Sequence, residues 1–347
     1  MAKVDITFHP KWWHQNAGIS FTQEFFENEK IRLEADFHMR QILAERFAET
    51  GLFSRPKEKR PLLDSDLLAG EFLQAKLLGC EVLFAEDALP EVLCAHLSEE
   101  QIWNLCVPDL DENKLWKSYE NQLSRLYEEY GYVDSGLDLY GVQNLAFALR
   151  GNNLFMDYYD NPELVAHLMQ VCTETLLRVA ERILRFTKSI SRGVSSAVRF
   201  ASSEIYVTSN CTVDLISPHM YEEYLLPWDS MLARKFGRIG IHHCGAHCER
   251  YVDLYKKVPN LCWLEAGAFS DFAAVRKSYR GMLNLRYSPR SLLEKTSEEI
   301  RKDVMQQFRT AWLDGEPDKT TMSCVGVDPD TPDENVKAFI AAVQAIQ

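Results

Sequence analysis

Short apolar segments of strand length alternate with long helical patterns along most of this 347-residue chain, and this alternation limits the possible folds more than any other feature. Several of the segments are almost continuously apolar, which is typical of parallel strands covered on both faces. The pattern predicts one α/β domain, a (β/α)8 TIM barrel with an eighth strand that the pattern does not reveal. The seven visible strand candidates are residues 80–86, 135–141, 195–201, 238–244, 261–267, 282–288 and 321–327.

The helices between these strands begin at clear capping motifs. Asn161-Pro162 and Ser217-Pro218 each place a capping side chain before a proline at the first helical position. Thr296 and Glu299 have the spacing of a capping box. A doubly wound open sheet is the alternative fold, but no strand candidate is followed by the G-x-G-x-x-G turn of that class.

The N-terminal part of the chain has a different pattern. Residues 20–50 show the apolar spacing of one long amphipathic helix, and no interior linker follows it. We therefore expect an N-terminal helical extension at residues 1–60 and a barrel at residues 61–347, packed as one structural domain.

The charge balance excludes some classes of partner. With 38 Lys and Arg against 51 Asp and Glu, the formal net charge is −13, so nucleic acid is an unfavourable partner. No apolar run approaches the roughly 18 residues that cross a bilayer, and the N-terminus has no apolar signal core. We therefore expect a cytoplasmic protein without a membrane partner, whose nine cysteines are reduced.

Residues 241–248 concentrate the groups that bind metals. This segment holds three of the nine histidines and two of the nine cysteines, directly after a strand candidate. Because side chains alternate along a strand, His242 and Cys244 point the same way and His243 points the opposite way. Imidazole and thiolate are ligands that zinc prefers, so His242 and Cys244 are candidate ligands of one Zn²⁺ ion.

A third ligand has to come from elsewhere in the fold. Cys324 ends the last strand candidate, and in a closed barrel all strand ends face one mouth, so Cys324 could reach the same ion. A single cysteine is more often a buried apolar residue than a ligand. Cys248 competes for a ligand position, and we interpret five other cysteines as core residues or as residues without a special role: Cys80, Cys94, Cys106, Cys172 and Cys262.

The chain resembles the uroporphyrinogen decarboxylase superfamily. The resemblance rests on His242-His243-Cys244-Gly245 and on the segment at residues 324–336, CVGVDPDTPDENV, with further matches at residues 84–90, 150–162 and 215–221. More narrowly, the chain is similar to the zinc-dependent methylcobamide methyltransferases of that superfamily, in which a His-x-Cys pair and a distant Cys bind zinc. The resemblance implies a barrel fold, zinc bound by His242, Cys244 and Cys324, and a corrinoid carrier protein as partner.

The resemblance also implies roles for three acidic residues. Glu204 is the first choice for a fourth, displaceable zinc ligand, while Cys211, Cys248 and water remain open. Asp87 and Glu265, near strand ends, are expected to position the methyl acceptor. The arginine-rich motif that binds the carboxylates of a tetrapyrrole is missing, since only Lys30, Arg32 and Arg40 stand in that region.

The expected function is therefore a zinc-dependent methyltransferase that moves a methyl group from a methylated corrinoid, a protein-bound methylcobamide, to an acceptor. The acceptor would be coenzyme M, another thiol or a tetrahydrofolate. One alternative is a metal-independent lyase of the uroporphyrinogen decarboxylase type. Another is a noncatalytic partner that binds corrinoid or zinc.

Overall fold

A curled parallel sheet of six strands organises the chain in the computed structural model, which describes residues 3–65, 67–68, 70–134, 137–191, 204–312 and 316–346. The strand order is β1-β8-β7-β6-β5-β4, and every neighbouring pair is parallel. Two further short strands, β2 and β3, form a separate antiparallel pair. The strands are β1 (Val4–Phe8), β2 (Val82–Leu83), β3 (Glu91–Val92), β4 (Tyr206–Ser209), β5 (Ile239–His243), β6 (Leu261–Ala266), β7 (Met282–Tyr287) and β8 (Thr320–Val327).

Helices of different lengths surround the sheet. Those among the described residues are α1 (Pro10–Ala17), α2 (Gln23–Glu27), α3 (Glu29–Arg46), α4 (Leu73–Leu77), α5 (Glu99–Trp103), α6 (Lys114–Tyr130), α7 (Val142–Arg150), α8 (Asn153–Asp160), α9 (Pro162–Ile183), α10 (Pro218–Met220), α11 (Leu226–Phe236), α12 (Val252–Tyr255), α13 (Phe272–Ser278), α14 (Pro289–Glu294), α15 (Ser297–Ala311) and α16 (Asp333–Gln344). A π-helical turn, Tyr221–Leu225, joins α10 to α11. Within the described ranges, every helix is too short or too polar to cross a bilayer.

The capping motifs act as the sequence predicts. The Asn161 side chain accepts a hydrogen bond from the Leu164 N–H at the start of α9. The hydroxyl of Ser217 accepts one from the Met220 N–H at the start of α10. Thr296 and Glu299 form a reciprocal capping box at the start of α15. These three helix starts are confirmed.

The C-terminal strand candidates are confirmed, and the N-terminal ones are not. The segments predicted at 238–244, 261–267, 282–288 and 321–327 are β5 to β8. The segment at 80–86 forms only β2, which pairs with β3 outside the main sheet, and Phe84 packs on Phe26 and Phe72. Residues 137–141 are not a strand, residues 135–136 lie outside the described residues, and so does the whole candidate at 195–201.

The first 60 residues contribute a strand as well as helices. β1 pairs with β8, with Ile6 opposite Cys324, so the sheet begins within the first eight residues. The single long helix predicted at residues 20–50 is wrong, because α2 ends before Asn28 and α3 begins after it. The side chain of Asn28 accepts hydrogen bonds from the first N–H groups of α3 and so fixes this break.

Candidate metal centre

A small cavity opens among the strands and the segments that follow them. Its volume is about 200 Å³, below the usual range of pockets for drug-sized ligands, so it fits a small molecule. Side chains from β1, β4, β5, β6, β7 and β8 line it, together with residues from the segments before α4 and α7. The lining residues are Asp5, Thr7, Leu68, Gly70, Glu71, Asp138, Ser209, Cys211, His242, Cys244, Glu265, Arg286 and Val325.

Three potential metal ligands meet in this cavity. One donor atom from each of Cys211, His242 and Cys244 lies within 4.8 Å of the other two. His242 lies on β5 and Cys244 directly follows that strand, while Cys211 opens the 3-10 turn after β4. The His242 carbonyl accepts a hydrogen bond from the Asn210 N–H (2.8 Å), which holds the two strand ends together.

Two amide side chains of α7 hold the turn that carries Cys211. The side-chain oxygen of Asn144 accepts hydrogen bonds from the N–H (3.0 Å) and the hydroxyl (2.8 Å) of Thr212. The amide of Gln143 donates to the carbonyl (2.9 Å) of the same threonine. Thr212 directly follows Cys211, so α7 fixes the backbone from which this thiol projects.

Glu265 connects the imidazole to the half-buried Arg286. One carboxylate oxygen, Oε1, lies 3.0 Å from Nδ1 of His242 and 2.8 Å from Nη1 of Arg286. Burial alone would raise the pKa of Glu265, but the two cationic neighbours outweigh it and lower the pKa to about 2. Burial lowers the pKa of His242, but Glu265 and Cys244 outweigh it and raise the pKa to about 10.

The two thiols of the group share one proton. A hydrogen bond from Cys211 lowers the pKa of Cys244, although burial opposes the shift, and the charges of His242 and Arg286 lower it further. The same hydrogen bond and burial raise the pKa of Cys211. Cys244 is therefore the thiolate of the pair, which is the form that binds metals.

The donor set fits a zinc ion. Two sulfur atoms and one imidazole nitrogen are ligands that zinc prefers, and three protein ligands leave the fourth position open, as in catalytic zinc sites. Since Nδ1 of His242 contacts Glu265, Nε2 is the nitrogen that remains for the metal. A carboxylate on the other ring nitrogen is the usual outer contact of a zinc-bound histidine.

The structure does not bring Cys324, the third ligand expected from the sequence, into this group of donors. Along β8, Thr321 and Ser323 contact Asn284 inside the sheet, and Val325 lines the cavity. Because side chains alternate, Cys324 faces the other side of the strand. Cys324 is fully buried in the apolar core, and burial raises its thiol pKa to about 12. Cys211, one of the open alternatives for the fourth position, takes the third place instead.

The acidic residues predicted for the site have different positions. Glu204 is exposed and precedes β4, about 15 Å along the chain from Ser209 at the other end of that strand, so it cannot be the fourth ligand in this geometry. Asp87 lies outside the cavity lining, in the turn after β2. Its charge acts on His9 instead: burial lowers the pKa of His9, and the charges of Asp328 and Asp87 oppose that shift. Of the three, only Glu265 lies in the cavity.

The neighbouring candidates in residues 241–248 are separated from the cavity. His243 points away from it, as strand alternation predicts: its ring nitrogens contact the Tyr255 hydroxyl (2.8 Å) and the Ala246 carbonyl (2.9 Å). Cys248 is buried in the core, and burial raises its pKa. Neither residue is in the group of three donors.

Comparison with known proteins fits this architecture. The family model "Uroporphyrinogen decarboxylase (URO-D)" matches residues 67–346. The chain belongs to the uroporphyrinogen decarboxylase family. Among the 25 solved chains similar to this member of the family is a methyltransferase from Methanosarcina mazei, with a TM-score of 0.68 and 15% sequence identity over 99% of this chain and 93% of that one. No curated protein matches the sequence.

The cavity of this uroporphyrinogen decarboxylase family member is poorly suited to a polycarboxylate. Arg286 is the one arginine among the described lining residues, and Glu265 already neutralises it. Arg32 is fully buried and donates to the backbone carbonyls of Phe25, Phe26 and Leu62, so it has a structural role. Among the described lining residues, no arginine comes from the N-terminal region.

Proposed function

We propose that this protein is a zinc-dependent methyltransferase that takes a methyl group from a methylated corrinoid and transfers it to a small acceptor. The observation that carries the proposal is the group of Cys211, His242 and Cys244, which faces a cavity of small-molecule size. The similarity to a methyltransferase fold is consistent with it. Reduced thiols, which the site requires, fit the expected cytoplasmic location, and none of the nine cysteines forms a disulfide.

The residues of the site have separable tasks in this proposal. Cys211, His242 and Cys244 would hold Zn²⁺, and Glu265 would orient His242 through Nδ1. Bound zinc would lower the pKa of a thiol acceptor so that it reacts as a thiolate. The acceptor sulfur would take the methyl group, the corrinoid would keep the electron pair of its broken bond to that carbon, and the thiol proton would pass to solvent.

The corrinoid would remain outside the cavity. The space of about 200 Å³ admits an acceptor but not a corrin ring, so the ring would lie across the mouth, held by a corrinoid carrier protein.

We also propose that the sheet closes into the eight-stranded barrel, with the segments around Gly70 and residues 137–141 between β1 and β4. The Gly70 N–H donates to Asp138 (3.2 Å), and Gly141 lies so close to Ser209 that a Cβ there would be 1.7 Å from its carbonyl oxygen.

Zinc content in single variants tests the ligand set. We expect about one zinc per chain in the wild type and loss of zinc in Cys211→Ala, His242→Ala and Cys244→Ala. Cys324→Ala is the matched control, and it should keep its zinc because Cys324 faces away from the cavity. Zinc retained in Cys211→Ala but lost in Cys324→Ala would restore the ligand set expected from the resemblance.

Turnover tests the reaction. Zinc-loaded protein should demethylate methylcobalamin in the presence of a small thiol, and the ligand variants should not. Binding of zinc and corrinoid without turnover with any thiol or tetrahydrofolate would make the protein a noncatalytic partner. Decarboxylation of an acidic tetrapyrrole at the same rate with and without metal would replace the proposal with the lyase.

A further inference from the structure

Two cysteines outside the metal group lie opposite each other at the end of the short antiparallel pair of β2 and β3. The register of this pair sets Val82 opposite Val92. The Leu93 N–H donates to the backbone carbonyl of the residue after Cys80 (2.9 Å), which continues the pair by one residue. The next position of the same register sets Cys80 opposite Cys94, and both are free thiols in this structure.

The two thiol side chains point toward the same end of α7. Sγ of Cys80 lies 3.5 Å from the Ala148 carbonyl oxygen, and Sγ of Cys94 lies 3.7 Å from the Phe147 carbonyl oxygen. These two carbonyls are adjacent in the chain, so the sulfur atoms lie side by side. Hydrogen-bonded and non-hydrogen-bonded positions alternate along an antiparallel pair, so the cysteines occupy a non-hydrogen-bonded position with Cα atoms about 4.5 Å apart, a separation that a disulfide spans.

Contacts with the end of α7 hold the two thiols in this arrangement. The Ala95 N–H donates to the Ala148 carbonyl (3.0 Å), directly after Cys94. At Gly151 a Cβ atom would be only 3.0 Å from Sγ of Cys94 and from Nδ1 of His96, so the helix end is packed closely against this segment. A thiol pair held in place by its surroundings reacts faster than two freely moving thiols.

The two cysteines differ in their access to solvent. Cys80 is buried, and burial, with a smaller effect from the charge of Cys94, raises its pKa to about 11. Cys94 is half-buried, and its sulfur lies 3.6 Å from Nδ1 of the exposed His96. The backbone of His96 has a φ of 49°, which is uncommon for a residue with a side chain. Cys94 is therefore the thiol that a reagent meets first, with a base beside it.

We propose that Cys80 and Cys94 form a reversible oxidation site, which closes to a disulfide by exchange with a small disulfide such as oxidised glutathione. Cys94 loses its proton to His96 and attacks one sulfur of the reagent, so a mixed disulfide forms and one glutathione leaves. Cys80 then attacks the Cys94 sulfur, and the second glutathione leaves. Two protein thiols are oxidised, one glutathione disulfide is reduced, and the two protons end on the released glutathione thiols.

A redox titration with mixtures of reduced and oxidised glutathione tests the proposal. At each mixture the free thiols are blocked with N-ethylmaleimide, and the linked peptides are identified by mass spectrometry. We expect a disulfide that joins Cys80 to Cys94 and that dithiothreitol reverses. The variant Cys106→Ser, at an exposed cysteine, is the control and should give the same titration of this pair.

Two variants separate the steps of the exchange. Cys80→Ser should stop the reaction at the mixed disulfide of Cys94 with glutathione, since no second thiol displaces it. His96→Asn keeps a residue that tolerates the left-handed backbone but lacks the ring nitrogen. It should slow formation of the disulfide about tenfold at neutral pH and leave the final Cys80–Cys94 link unchanged.

The wild-type titration is decisive even where a variant does not fold. Free Cys80 and Cys94 at the highest proportion of oxidised glutathione would overturn the proposal, and so would a lasting mixed disulfide at Cys94. Equal rates for wild type and His96→Asn would overturn the role of His96. The exchange uses neither the metal nor a methyl donor, and the peptides of Cys211 and Cys244 are different ones, so the result holds whatever reaction the protein catalyses.

Discussion

Replacing Asp229 with asparagine should remove a pH dependence of stability that the wild-type protein carries. Asp229 lies on α11, is fully buried, and accepts hydrogen bonds at Oδ2 from the Asn210 amide (2.9 Å) and the Tyr221 hydroxyl (2.8 Å). Its other oxygen, Oδ1, has no partner among the described residues. Burial raises the pKa of Asp229 from 3.8 to about 6, although the two hydrogen bonds oppose this rise.

The sign and size of the effect follow from this pKa. Because the folded-state pKa is above that of the unfolded chain, the folded state keeps the Asp229 proton more tightly, and the contribution of this proton to stability is fully present below about pH 4. The contribution is lost as the pH rises through about 6. A shift of roughly two pKa units corresponds to about 3 kcal/mol of unfolding free energy. Asparagine does not titrate, so its contribution to the free energy of unfolding is the same at every pH.

Urea unfolding of both proteins at pH 4, 5, 6 and 7 measures this difference. The measurements are made with a chelator present, so that zinc does not contribute to stability. The free energy of unfolding of the wild type should fall by about 2 kcal/mol relative to Asp229→Asn between pH 4 and pH 7, because part of the full effect lies below pH 4. Parallel pH profiles would refute the reasoning, and a wild type that gains stability relative to Asp229→Asn with rising pH would show a lowered pKa of Asp229 instead.

Two further predictions concern the metal site. Asn144→Ala should weaken zinc binding about 10- to 100-fold in competition with a chelator, because the turn of Cys211 loses its hydrogen bonds from Thr212 to Asn144. Gln170→Ala, on the exposed face of α9, is the control and should leave zinc binding unchanged. In metal-free protein, alkylation of Cys244 by iodoacetamide should already be fast below pH 7. The pH dependence of this rate should shift to higher pH in Cys211→Ala, because the hydrogen bond from Cys211 lowers the Cys244 pKa. An unchanged pH profile in the variant would contradict this cause.

The parts of the site that lie close together in the chain could be predicted from the sequence. His242 and Cys244 share one strand end, and alternation alone places them on the same side, with His243 on the other. The same rule could not decide between Cys324 and Val325. Which of two adjacent residues faces inward depends on the register of β8, and a change of one residue reverses every side chain of a strand.

The parts that depend on distant contacts could not be predicted. Cys211 follows a four-residue strand that showed no clear pattern, and residues of α7 hold its turn through side-chain hydrogen bonds. Glu204 follows the strand candidate at 195–201 in the sequence but precedes β4, which begins at Tyr206, so it lies at the opposite end of β4 from Ser209. Arg286, a cation inside a strand, was a usable signal of a buried charge pair, but its partner Glu265 lies on β6.

The pairing of β1 with β8 has a consequence for synthesis on the ribosome. Because Ile6 lies opposite Cys324, almost the whole chain must emerge before β1 meets its neighbour in the sheet. At the usual rates of translation this takes roughly 15 to 60 s. During this time Val4, Ile6 and Phe8, all buried in the folded protein, lack the strand they pack beside and are accessible to chaperones. Asp5 and Thr7 of β1 and Val325 of β8 line the cavity together, so the binding cavity stays incomplete until β8 has been synthesised.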